Sequence, residues 1–507
     1  MDRQLNCACD HKGEHLMTKQ SVVSSLLVGA VVMVVPMLAA ANENPAGDSV
    51  PTFNSDVASI VFENCSSCHR DGQVAPMSLT SYAEVRPWAR AIKAKVVSRE
   101  MPPWFADPQF GHFEDVPTLT QAEIDTIVAW ADGGAPLGEG VMPDIPDFSQ
   151  EWRHNRPPDY VISMPLEIEV PAQGEIEYVK MWVENPWKED VFLEAVQMRP
   201  GNYALVHHAG VHTRALPPGT KIGQTEFYPG SQLIPAPVPI DENETVEAKQ
   251  QRAVATATAN FGKDELLLFY AGRKGFAKYP EGTGKRVYGD RYIVFDQHYQ
   301  MTGRPEKDRA ELGVWFPEKR PHHQVITTSG AGTVRIVEGV EQTARPVAVP
   351  VHRFSGDIEG NETRGANLPH QPLIPAGAGD FRVTSMWPLS EDITLYGLWP
   401  HMHFRGKDMA YLVSYPDGAE EILLSVPNYD SGWQLAYDFV EPKKIPAGST
   451  LKTIAHYDNS VRNRNNPAPD KEVYWSEQTW DEMLIPWVKF SVDKRDLRLE
   501  DEAGTQN

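Results

Sequence analysis

The chain has 507 residues, 41% of them hydrophobic, which is material for about three domains with proper cores. Its formal charge of −22 excludes an electrostatic grip on nucleic acid or on an anionic membrane surface. The 42 prolines and 37 glycines imply many turns and edge strands, and so a mainly β body.

The first element is an apolar run at residues 21–41, SVVSSLLVGAVVMVVPMLAAA, preceded by Lys19 and closed by an Ala-x-Ala pattern. It has the form of a secretory signal, with cleavage expected near Ala41. Met17 can serve as the start, since residues 1–16 show no structural pattern, and Cys7 and Cys9 then drop out. The run is also long enough to span a bilayer, so an uncleaved membrane anchor is the alternative. Either way the body is expected outside the cytoplasm, periplasmic or secreted.

A helical module is expected over residues 50–143. At its front, ENCSSCHRDGQVAPM (63–77) carries the spacing Cys-x-x-Cys-His. Thioether attachment of haem c needs two thiols one turn apart and a histidine directly after the second. A redox dithiol needs no such histidine, and a zinc site needs further ligands nearby. Cys65 and Cys68 are therefore expected to hold one covalent haem c, with His69 as axial ligand. Further on, TSYAEVRPWARAIKAKVVSREMPPW predicts a helix broken at Met101-Pro102-Pro103. Met101, in its rigid Pro-Pro loop, is the expected sixth ligand, and Met77 in APMSL competes with it. Then LTQAEIDTIVAWADGGAP opens with the capping box Thr120-x-x-Glu123 and presents Ile124, Ile127, Val128 and Ala131 on one face before Gly133 and Gly134 stop it. REMPPW followed by DGGAP resembles c-type cytochrome domains fused ahead of larger secreted enzymes. With Cys65 and Cys68 so used, no cysteine is left for a disulfide.

Beyond residue 150 the period changes to two. LEIEV (166–170), EIEYVKMWV (175–183), DVFLEAVQM, DELLLFY, RYIVFDQHY, DFRVTSMW and ITLYGLW alternate between Gly- and Pro-rich turns. Two antiparallel β-sandwiches are expected, at 152–345 and 346–495, with a junction near 345 in a turn-rich, charged stretch.

The histidines carry the chemistry. ALVHHAGVHT holds His207, His208 and His212; IVFDQHYQMTG holds His298; LYGLWPHMHFRGKDM holds His401 and His403. In a strand, residues two apart share a face, so His401 and His403 form a metal clamp. Adjacent His207 and His208 point to opposite faces unless the strand is locally distorted, so His208 with His212 is the alternative pair. His112, His154, His322, His323, His352 and His370 are expected to be solvated or internally satisfied, and His456 to lie outside the first shell of any metal. Imidazole suits zinc, copper, iron and nickel, and a haem on the same chain favours a metal that changes oxidation state.

VHHAGVHT, DQHYQ, PHMHFRGKDM and EQTWDEMLIPWVKF occur in the order seen in the type II, ascorbate-dependent copper monooxygenases, which include peptidylglycine α-hydroxylating and dopamine β-monooxygenases. The chain resembles this family over about 200–490, in short islands. The resemblance implies two jelly-roll-like sandwiches with one copper each, bound by His207, His208 and His298 in the first and by His401, His403 and Met483 in the second. It implies insertion of one oxygen atom from dioxygen into a C–H bond of a small organic substrate. His401, His403 and Met483 would then serve the reaction, and the first copper would store an electron. The donor would be an ascorbate-like reductant or another cytochrome, acting through the haem. Two departures stand out. Where the peptidylglycine enzymes hold a substrate carboxylate, this chain has Trp399 and Trp487, which implies an apolar or aromatic substrate; and the disulfides of the animal enzymes are absent. A non-enzymatic electron-transfer or copper-binding protein is the alternative, and a polymer-binding sandwich tethered to a cytochrome a more distant one.

Overall fold

The computed structural model describes residues 50–148, 152–174, 176, 179–216, 220–223, 225–227, 262–272, 274–329, 334–337, 340–342, 349–350, 363–364, 374–473 and 479–497. The apolar run at 21–41, the expected junction near 345, His352 and His370 lie outside the described residues.

The helical module forms where the capping signals are. Helix Gln121–Asp132 begins at Thr120, whose hydroxyl accepts the Glu123 amide while the Glu123 carboxylate takes the Thr120 amide at 2.7 Å. Ile124, Ile127 and Trp130 are its buried face, and Trp130 meets Phe53 with ring centroids 6.0 Å apart. The segment expected as one helix up to Met101 is instead three short pieces. These are Tyr82–Val85, a tight turn Arg86–Trp88 at Pro87, and Ala89–Val97. It stops at Val97 because Arg99 takes a left-handed φ of 56°, which no continuing helix allows. Among the described residues no helix is long and apolar enough to cross a membrane.

The rest is mainly β. A five-stranded sheet runs in the order Thr225–Phe227, Val179–Val183, Tyr292–Tyr299, Val206–Arg214 and Glu265–Ala271. Its core gathers Met181, Val211, Leu268 and Phe295 with Val196 and Leu312 from a four-stranded neighbour. A second four-stranded sheet orders Ile326–Ser329, Ile485–Val492, Ile393–His401 and Tyr437–Ile445. It shares a core with a six-stranded sheet that includes Phe381–Pro388, Thr450–Tyr457 and Gly406–Ser414. The expected period-2 segments therefore form strands, although DVFLEAVQM is split at Glu194 into Val191–Leu193 and Ala195–Arg199.

The chain enters the second group of sheets before the expected junction, since Ile326–Ser329 already pairs with Trp487–Phe490. A buried ion pair marks this crossing. Lys285 and Glu265, both with fully buried side chains, meet at 2.5 Å, and Glu265 also accepts the Thr327 amide at 2.7 Å. A turn-rich composition hid this strand, which is held by partners far away in the sequence.

The helical module packs directly on the second group of sheets. Phe113 bridges to Phe439, Asp107 N–H donates to the Ser425 carbonyl at 2.8 Å, and Val440 N–H donates to the His112 carbonyl at 3.0 Å. Trp104 and Phe113 stack edge-on against Tyr437 at 4.8 and 5.5 Å. Burying rings of this size contributes roughly 1.5–3 kcal/mol each.

Candidate metal centre

Strand Val206–Arg214 lies between Tyr292–Tyr299 and Glu265–Ala271. Regular pleating would turn His207 and His208 to opposite faces. The pairing breaks here: His298 faces His208, but Tyr299 faces Val206, which leaves His207 as an extra residue. A bulge of this kind twists the strand and re-aims a side chain. His207, His208 and His298 then converge, with candidate ligand atoms all within 4.8 Å of one another. The His208 and His298 Nδ1 atoms are 3.4 Å apart, and their ring centroids 4.5 Å. His207 donates from its ring to the Gly432 carbonyl.

Burial holds these imidazoles neutral, as lone-pair donors must be. It takes His298 down to about 3, with the neighbouring His207 pushing the same way. His208 is lowered well below the ordinary range, first by burial and then by His298, His207, His401 and His403. The second histidine pair thus lies within the electrostatic reach of the first cluster. His212 does not join. It sits further along the strand opposite Val294, and its ring folds over Gly210, where an added Cβ would come within 2.6 Å of Nε2.

The second pair forms at the end of strand Ile393–His401. His401 and His403 rings are 5.2 Å apart and nearly perpendicular. His401 Nδ1 meets Gln434 Oε1 at 2.5 Å, which fixes the proton on Nδ1 and leaves Nε2 outward. Burial lowers His401 to about 4, against that hydrogen bond. The ladder ends where His401 pairs with Ile485, and His403 and Met483 lie just beyond its end, brought together by a shared acceptor. Glu482 locks the arrangement: one carboxylate oxygen accepts the His403 and Met483 amides, each at 2.9 Å, and the other accepts the Arg405 amide at 2.7 Å. Burial raises Glu482 to about 7 against these bonds and the Arg405 charge. His456 pairs with Asp408 at 2.6 Å.

Between the two groups stands an aromatic wall. Trp399 and Trp487 are register partners stacked at 5.5 Å and 9°. Phe269 lies 4.0 Å from Trp399 and 5.7 Å from His208, and Trp399 lies 5.9 Å from His401. These rings line a cavity with Leu266 and Leu268. Its charged groups are already engaged, with Lys489 on Asp438 at 2.5 Å and Lys274 on the Ala436 carbonyl at 2.9 Å.

In the helical module, Cys65 and Cys68 are half-buried, and His69 Nδ1 contacts the Met77 carbonyl at 3.2 Å. Met101 is half-buried after the helix end. His323 Nδ1 meets the Arg495 carbonyl, as expected of an internally satisfied histidine, whereas His154, stacked on Trp315 at 5.1 Å with Nε2 3.2 Å from Glu194, has neither buried ring nitrogen in a hydrogen bond. Sequence reasoning missed Gln434 and Phe269, which no motif announces. It also missed the role of Glu482, visible only as the acid beside Met483.

These features define a mainly β protein of antiparallel, sandwich-like sheets with a three-histidine cluster, buried at His208 and half-buried at His207 and His298. No family model and no curated protein matches the chain. Among solved structures, the N-terminal CBM22 tandem domain from Paenibacillus barcinonensis is 8% identical, covering 63% of this chain and 80% of its own, at a TM-score of 0.16. The T13 IBDV viral particle is 10% identical over 66% and 71%, at 0.15. A Paenibacillus xanthan lyase is 12% identical over 67% of this chain and 23% of its own, also at 0.15. Likeness at this level says nothing about the site.

Proposed function

We propose that this chain is an exported copper monooxygenase of the type II kind, with two jelly-roll-like sandwiches and a fused cytochrome c module. The observation that carries the reading is the convergence of His207, His208 and His298, all neutral and within 4.8 Å, beside the His401–His403 pair. An all-imidazole set fits a copper ion that cycles between two oxidation states, and a set with the Met483 thioether favours the reduced one. Copper at these places supplies one-electron redox change and activation of dioxygen.

The protein's own groups do the rest. Gln434 and Glu482 hold His401, His403 and Met483 in place. Phe269, Trp399 and Trp487 exclude water and offer flat apolar surfaces to a small organic substrate. Lys274 and Lys489 are occupied, which supports a substrate without a free carboxylate. In the helical module, Cys65 and Cys68 would attach haem c and His69 would offer Nε2 to the iron, its Nδ1 being engaged by the Met77 carbonyl. Met101, in its Pro-Pro loop, would be the sixth ligand, with Met77 its competitor.

The test is metal analysis and a haem stain of the exported protein, followed by oxygen uptake against apolar candidate substrates. Two coppers, one haem and one hydroxylated product per oxygen consumed are expected. Metal and haem that exchange electrons with no product from any substrate would make it an electron-transfer protein.

A further inference from the structure

Five residues, Asp430–Gln434, reach His207 and His401 by hydrogen bonds and lie beside the same glycine as Cys68. A Cβ placed on Gly272 would lie 3.9 Å from Trp433 Cζ3, 3.9 Å from Cys68 Sγ and 3.9 Å from Val74 Cγ1, so the indole and the thiol both flank this one glycine. Ala271, the residue before that glycine, is the register partner of His208. The Gly432 carbonyl accepts the ring N–H of His207, and the Gln434 side chain accepts that of His401. The turn is stiff: Asp430 Oδ1 accepts the Gly432 amide at 2.8 Å, and the Asp430 carbonyl accepts the Trp433 amide at 3.0 Å. The helical module is held against it from two directions. Gln300, two residues beyond His298, donates to the Val74 carbonyl at 3.1 Å, and the Glu114 amide donates to the Asp438 carbonyl at 2.8 Å.

Resting on the function proposed above, we infer that Trp433 is the relay residue that carries electrons from the Cys65–Cys68–His69 motif to the cluster of His207, His208 and His298. The step moves one electron and no proton. Ferrous haem on the two cysteines becomes ferric, and cupric copper on the three histidines becomes cuprous. A one-electron donor of the ascorbate or cytochrome class restores the haem. Two branches leave Trp433. The one to His207 runs through a single peptide link and one hydrogen bond, whereas the one to His401 crosses the whole Gln434 side chain as well. The shorter branch makes the first cluster the entry site and the second pair the later recipient.

The test uses the holoprotein with haem and both coppers, assayed first for haem and metal content. A light-triggered reductant converts the haem to the ferrous form under anaerobic conditions, and its reoxidation by cupric copper is followed optically and by loss of the copper resonance signal. Trp433→Leu should slow reoxidation by about tenfold or more, with the haem midpoint potential and the copper resonance parameters unchanged. Trp433→Phe should restore most of the rate. Wild-type speed in Trp433→Leu overturns the relay, and so does a slowing that comes with a shifted potential or altered copper signal, which is the mark of a packing role. A wild-type protein without covalent haem or without copper overturns the function reading itself, and is seen before any kinetics.

Discussion

The two histidine groups solve the same problem by different means. The first lies inside one sheet and owes its shape to one extra residue, His207, in an otherwise regular ladder. The second lies where a strand has ended, and needs an outside clamp, the Glu482 carboxylate, to hold His403, Met483 and Arg405 together. A backbone distortion is rigid without help, since its neighbours are paired on both sides. A strand end is not, and its precision depends on a few side-chain bonds.

That contrast can be broken at the clamp. Glu482→Ala strips three amides, two of them buried, of their acceptor and leaves only Asp481 to offset the buried Arg405 charge, so a loss of about 3–5 kcal/mol in unfolding free energy is expected. Chemical denaturation checks the size. Metal analysis should show the second site lost and the first kept; loss of both equally would show that the sites are not independent.

His208→Ala attacks the first group alone. It should remove one equivalent of bound copper, read by metal analysis, and leave the sulfur contribution of Met483 in the X-ray absorption of the reduced protein. A sulfur signal that survives Met483→His would separate Met483 from the metal. Gln434→Leu is milder: it frees the His401 tautomer, and metal affinity at the second site should fall by about 10- to 100-fold. Competition with a chelator measures this, and the first site should not move.

The smallest effect concerns the cavity. Burial pushes the Asp438 carboxyl up, but Lys489 and Lys274 more than offset it, so its pKa in the folded protein lies below the ordinary value. The stability it contributes is present above the ordinary aspartate range and is lost as pH falls through the lower folded value. Acid unfolding followed by circular dichroism should therefore flatten in Asp438→Asn below about pH 4, while the curves of the two proteins run parallel at neutral pH.

Much of this molecule was legible before any tertiary contact was known. Thr120 and Glu123 announced a helix start because both halves of a capping box lie within one turn. Tyr292–Tyr299 showed in its alternation, since burial of one face repeats every second residue toward its end, whereas Ile393–His401 is buried on both faces along almost its whole length. His401 and His403 could be paired on spacing alone.

Other features had no local signature. Ile326–Ser329 read as linker because its partner, Trp487–Phe490, is far away in the sequence. The choice between His207 and His212 as partner of His208 stayed open, because a bulge is a mismatch between two strands and neither strand records it alone. Glu482, Gln434, Phe269 and Trp433 gain their places only where separate sheets and the helical module meet. By itself, then, the sequence determined the capped helix, the strands that alternate, and which residues can donate to a metal, because periodicity, capping and side-chain chemistry are properties of neighbours along the chain. The tertiary structure alone decided which histidines converge, what clamps them and what lies between them, because those depend on register and packing between segments that the chain keeps far apart.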